Sequence, residues 1–192
     1  SAGLYFDGAN DTLWSAPVTV SVSTLVVAFA PAAPITAATT TQQVLFNARG
    51  RYAENLTLGA YTASYANEYF GIRSYNAAES PMQAAYVDAS GVIDGFTVIT
   101  AVHDAQAKRW RLYRDGNGIG SVSGVDENGF VLTGHSIFLA SADQNDRFNG
   151  HLFEVVGYSA ELSAADRYSV ESYLKYKYAQ EPVPSGTLLS IR

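Results

Sequence analysis

The sequence predicts an all-β fold, a two-sheet antiparallel jelly-roll sandwich with one short C-terminal α-helix. Three observations lead there. About a dozen short segments alternate apolar with polar residues, or run apolar at strand length, between clusters of Gly, Pro, Asn and Asp. Only residues 163–178 repeat their apolar side chains at helical spacing. The chain has 192 residues and no cysteine, a length at which one sandwich buries roughly 70% of its unfolded surface and needs no disulfide staples. Residues 1–180 form the domain. Residues 181–192, which open with Glu181-Pro182-Val183-Pro184, read as a tail or linker.

In chain order, residues 4–14 give a short strand and then a turn built from Asp7, Gly8, Asn10 and Asp11, residue types that accept left-handed or Asx-turn geometry. Asp11 is also a candidate metal ligand. Residues 18–30 are rich in β-branched side chains, with Val20, Val22, Leu25, Val27 and Phe29 in alternation. Pro31 and Pro34 make the next stretch a loop. Strands resume at 43–46 and 55–58, joined as a hairpin through Arg49-Gly50-Arg51-Tyr52. Residues 59–81 carry Tyr61, Tyr65, Tyr69, Phe70 and Tyr75 among small, polar residues, with a strand expected over 68–74. Two further strands fall in 94–103 and 110–114, and Asp115-Gly116-Asn117-Gly118 suits a tight reversal. Residues 120–134 mix strand and loop without clear division.

Residues 136–178 are the most informative stretch. An apolar run at 137–140 and a strand at 149–158 flank the polar loop Asp143-Gln144-Asn145-Asp146-Arg147. Ser163 then stands at an N-cap position with Asp166 three residues on, within reach of the free N–H groups of the first turn. Val170, Tyr173 and Leu174 are expected to form the buried stripe, with Arg167, Glu171, Lys175 and Lys177 on the remaining surface. Pro182 and Pro184 keep the helix from continuing.

This ending resembles the close of laminin-G-like domains in the concanavalin A-like lectin/glucanase superfamily, of the kind found in bacterial surface proteins and phage tail or fibre proteins. The matching residues are Gly150, Leu152, Glu154, Val155, Val156 and Tyr158, then Glu171, Tyr173, Leu174, Lys177 and Tyr178. Gly157 departs from the bulky residue usual at its place. The opening Phe6-Asp7-Gly8 with Asp11, and the hairpin Trp110-Arg111-Leu112-Tyr113-Arg114-Asp115-Gly116, resemble the same family. The resemblance implies a lectin-like jelly roll that is extracellular or virion-associated. It also implies that calcium is a candidate cofactor, because a rim loop carries it in many such relatives. Asp143, Asn145 and Asp146 would supply the hard oxygen donors that calcium prefers.

The chemistry present narrows the function. The chain carries 12 basic and 18 acidic residues, a formal net charge of −6. Such a surface does not suit phosphate backbones, so nucleic acid is not an expected partner. The densest basic spot, Lys108-Arg109-Trp110-Arg111, is expected to be divided between two faces by strand alternation. No apolar run reaches the length of a membrane span, so membrane insertion is not expected. No signal-peptide pattern opens the chain, and its start reads as that of a domain cut from a longer polypeptide. A nucleophile elbow, a zinc-ligand spacing and the alternating carboxylates of superfamily glucanases are all missing from the sequence, so no catalytic residue is assigned.

The expected function is therefore non-enzymatic binding of a cell-surface glycan or polysaccharide, with a structural adaptor joined to other chains of a larger assembly as the alternative and a glycoside hydrolase as the minor one. Tyr61, Tyr65, Tyr69 and Tyr75 are the candidate carbohydrate contacts. Tyrosine rings offer flat, amphipathic faces for a sugar while the hydroxyl stays wet.

Overall fold

The computed structural model describes residues 3–36, 43–49, 55–60, 70–75, 83–87, 92–123, 130–141 and 147–179. Over these it is an all-β, two-sheet antiparallel jelly-roll sandwich with one C-terminal helix. The strands are β1 (Leu4–Asp7), β2 (Leu13–Trp14), β3 (Val18–Val22), β4 (Thr24–Pro31), β5 (Gln43–Arg49), β6 (Asn55–Ala60) and β7 (Phe70–Tyr75). They continue as β8 (Gln83–Val87), β9 (Thr97–Asp104), β10 (Arg109–Arg114), β11 (Asn117–Ser123), β12 (Phe130–His135), β13 (Ile137–Leu139) and β14 (Asn149–Tyr158), and α1 (Ala164–Tyr178) follows. The first sheet has the order β1-β14-β4-β9-β10-β11, and the second β2-β13-β5-β6-β7-β8. Strands β3 and β12 pair as a separate ribbon.

The two strands at the centre of the first sheet, β4 and β9, are buried along almost their whole length. Leu25, Val27 and Phe29 enter the core between the sheets, whereas Val26 and Ala28 face a second cluster under the helix. With both faces covered, no polar residue is required at alternate positions, so β4 reads as a nearly continuous apolar run. From the second sheet, Leu45, Phe46, Ala48, Leu56, Leu58 and Ile72 close the core. Gly150 lies where a Cβ would run into the Ala30 carbonyl oxygen, and its φ is 148°, so β14 approaches β4 at a point only glycine fits.

The helix starts as expected. The Ser163 hydroxyl accepts from the Asp166 N–H at 3.2 Å and donates to the Asp166 carboxylate at 2.7 Å. Its buried residues, however, are Glu171, Leu174 and Tyr178. Of the expected stripe of Val170, Tyr173 and Leu174, Leu174 is buried and Val170 packs beside it, but Tyr173 is 55% exposed, and Glu171 is not on the surface. The cause lies in the sheet. An extra residue in β14 between Leu152 and Glu154 lets Phe153 face outward beside Phe96 and Tyr178, and α1 turns its Leu174–Tyr178 edge onto that aromatic cluster.

Candidate functional site

The helix covers the outer face of the first sheet. No described helix lies on the outer face of the second. There the register sets Trp14 opposite Phe138 and Phe138 opposite Asn47, and the backbone pairing carries on from Asn47 through Thr57 and Arg73 to Ala84. Ile137 and Leu139 pack against the core, so pleating turns Phe138 outward. Burial is graded along the row: Trp14 is 65% exposed, Phe138 half-buried and Asn47 buried.

The edge strand is held firmly enough to present its tryptophan. The Ser15 N–H donates to the Ile137 carbonyl at 2.9 Å, and the Ile137 N–H donates to the Ser15 hydroxyl at 3.0 Å. The backbone bond places Ser15 and Ile137 at a hydrogen-bonded position of the ladder, and Trp14 and Phe138 at the adjoining non-hydrogen-bonded one. Cα atoms of that kind of pair approach most closely, bringing the two side chains together. The result is an exposed indole backed by a phenyl ring, with a buried amide next in the row. Such a surface suits a flat, amphipathic ring.

Most of the site residues proposed from sequence fall outside the described residues: Tyr61, Tyr65 and Tyr69, and all three loop donors, Asp143, Asn145 and Asp146. Tyr75 is the last residue of β7, its backbone paired with Asn55 and two positions along from Arg73. β7 is the fourth strand over from β2, about 19 Å across the sheet at the usual strand spacing. Ser141 and Arg147, on either side of residues 142–146, form an isolated antiparallel bridge. Among the described residues, no group of three His, Asp or Glu side chains converges as a metal site. Asp11 serves the turn: its carboxylate accepts the Asp7 N–H at 2.9 Å, and Asp7 accepts the Ala9 N–H at 2.7 Å.

Trp14 and Phe138 escaped the sequence reading. Trp14 looked like half of an apolar pair following a turn, and Phe138 sat inside an apolar run that read as core. The available signal was the brevity of the strand: a lone Leu-Trp pair between an Asx turn and Ser15-Ala16-Pro17 makes an edge too short to be covered on both faces.

The ionisable groups near the helix have structural partners. The Glu154 carboxylate accepts from Lys177 Nζ at 2.8 Å and from the Tyr178 hydroxyl at 2.9 Å. That carboxylate holds the Lys177 ammonium above the ordinary lysine value, and burial pushes the Tyr178 phenol up. Burial lowers the His151 imidazole, which sits between the rings of Tyr5 and Phe153. Within the basic spot, Lys108 stands in the turn before β10, with a φ of 47°. Arg109 and Arg111, two residues apart and thus on one face, both reach Asp104 at 3.3 Å. The backbone N–H of Ala107 and then these arginines hold the Asp104 carboxyl below its usual value.

A scan against family models gives no match, and neither does a comparison with curated proteins. Solved structures do match. Domain 4 of AbnA, a GH43 extracellular arabinanase from Geobacillus stearothermophilus in complex with arabinotriose, has a TM-score of 0.65 and 14% identity, over 87% of this chain and 75% of that one. The heptameric SAP-like pentraxin from Limulus polyphemus has a TM-score of 0.61 and 11% identity, over 88% and 80%. The IT-sialidase CBM40 of Ruminococcus gnavus, also seen bound to α2,3-sialyllactose, has a TM-score of 0.57 and 13% identity, over 83% and 98%. At such identities the likeness is one of fold: this chain has the lectin-like jelly roll of these carbohydrate-binding modules and of the pentraxin.

Proposed function

We propose that this domain is a non-catalytic carbohydrate-binding module whose ligand is a neutral cell-surface glycan. The observation that carries the reading is Trp14, 65% exposed and set beside Phe138 at the edge of the second sheet. The fold neighbours add support, since two of them are carbohydrate-binding domains seen with arabinotriose and with sialyllactose. A net charge of −6 favours a neutral sugar over an anionic one. Weak stacking at a single site would gain strength by repetition in a larger extracellular or virion-type assembly. Tyr61, Tyr65, Tyr69 and Tyr75 remain the proposed extension of the platform.

The test is a glycan array with the purified domain, including arabinotriose and sialyllactose, followed by titration of the best ligand. Trp14→Ala is expected to weaken binding at least tenfold, as loss of a stacked aromatic anchor does, with the melting temperature within about 3 °C. Tyr61→Ala with Tyr65→Ala is expected to weaken it further. Unchanged binding in the Trp14 variant defeats the platform.

The adaptor reading has its own observation. Tyr168, Tyr173 and Tyr176 are 68%, 55% and 73% exposed on the outer side of α1, with Ser169 and Ser172 between them. Tyr- and Ser-rich surfaces suit protein contact. A domain that binds no glycan but retains a chain of its own assembly, and loses it on Tyr168→Ala with Tyr176→Ala, is an adaptor.

A further inference from the structure

The interior between the two sheets is not filled at one end. A cavity of about 550 Å³ opens there, within the range of small-molecule sites. Phe46, Ile137 and Leu139 of the second sheet form one wall, and Val155 and Gly157 of β14 form the other. Val22 of the β3–β12 ribbon closes the third side.

Gly157 is the reason for the opening. In β14, Val156 and Tyr158 pack outward beneath the helix and Val155 packs inward, so pleating places residue 157 inward as well. An inward position in a sandwich strand normally carries an apolar side chain, yet here it is an exposed glycine. A Cβ built there meets only the Val22 Cγ2, at 3.8 Å. Ile137, Leu139 and Val155, all facing the core, are consequently only half-buried. Apolar walls held open to water favour an apolar occupant.

We infer that this cavity is a second binding site, distinct from the Trp14 platform, for the aliphatic chain of an uncharged amphiphile. The chemistry of the lining selects that class. The described lining carries no ionisable side chain, and its polar residues are Ser21 and Ser159, both exposed; Ser21 alternates with the core-packed Val20 and Val22 and turns its side chain away, which leaves Ser159 at the rim. A neutral hydroxyl head group is satisfied by such a rim. A carboxylate or ammonium would lose hydration with no counter-charge to replace it.

The experiment is calorimetric titration of the whole domain with hexan-1-ol, octan-1-ol and octanoate at pH 7.5. Octanol is expected to bind more than tenfold tighter than hexanol, because each buried methylene contributes about a fourfold gain, and octanoate is expected to bind more weakly than octanol. Gly157→Leu fills the cavity and is expected to abolish octanol binding while holding or raising the melting temperature. Val20→Phe, at the ribbon wall, is expected to do the same by a separate route and serves if the first variant misfolds. Absence of chain-length dependence in the parent overturns the site, as does octanol binding that survives both substitutions. Glycan binding through Trp14 is read separately, so either site can fail alone.

Discussion

Glu171, buried on the inner side of α1, accepts a hydrogen bond from the hydroxyl of Thr100 in β9 at 2.7 Å. The same carboxylate receives Arg167 Nη1 at 3.0 Å, and the guanidinium lies 3.7 Å from the centre of the Tyr113 ring. Arg167 also donates to the Gly116 carbonyl and Lys175 to the Asp115 carbonyl. The helix is thereby fixed both to the sheet and to the β10–β11 turn, whose two residues have φ values of 52° and 91°.

Arg167 and Glu171 form a buried pair, with side chains 12% and 2% exposed. Removing one partner strands the other charge. Arg167→Ala is expected to cost about 3 kcal/mol or more, and a double-mutant cycle with Thr100→Val to show coupling. Additive, small losses in urea melts would mean that the clamp contributes little.

Leu174 and Tyr173 are neighbours in sequence with opposite fates. Leu174 is 1% exposed, so Leu174→Ala should cost about 2–5 kcal/mol. Tyr173→Ala should stay within about 0.5 kcal/mol. Equal losses would show that the helix docks on a different edge.

Alkaline stability follows from the helix terminus. Lys177 and Tyr178 both bind their protons more tightly folded than at the ordinary values of 10.5 and 10.0. Their contribution is therefore complete at neutral pH and is lost as pH rises above about 10, where the unfolded chain deprotonates first. His151 acts at the other end. Its lowered pKa means that stability is complete above 6.5 and falls as pH drops below it. Melts across pH 5–11 are expected to show both slopes, Tyr178→Phe reducing the alkaline one and His151→Phe the acidic one. Unaltered slopes in these variants would assign them to other groups.

Calcium held by Asp143, Asn145 and Asp146 would stabilise the native state by mass action. The expected outcome is a higher melting temperature in millimolar calcium than in chelator, a difference lost on Asp143→Ala with Asp146→Ala. Identical melts in both buffers make the loop ordinary surface with Arg147 at its base.

The sequence by itself determined the architecture. Patterning and turn chemistry are local, so the bounds of β14, the Ser163 cap, the hairpin at Asp115-Gly116 and the all-β class were legible from the residues. Tertiary structure alone decided which side of each element is covered. The aromatic cluster of Phe96, Phe153 and Tyr178 and the bond from Thr100 to Glu171 set the docking edge of α1, leaving Tyr173 exposed and Glu171 buried. Cross-strand pairing joins Trp14, Phe138 and Asn47, residues from three separate parts of the chain. It likewise turned Gly157 from a break in a motif into the wall of a cavity. Faces and cavities belong to pairs of elements, and their register is set by the packing of the whole sandwich.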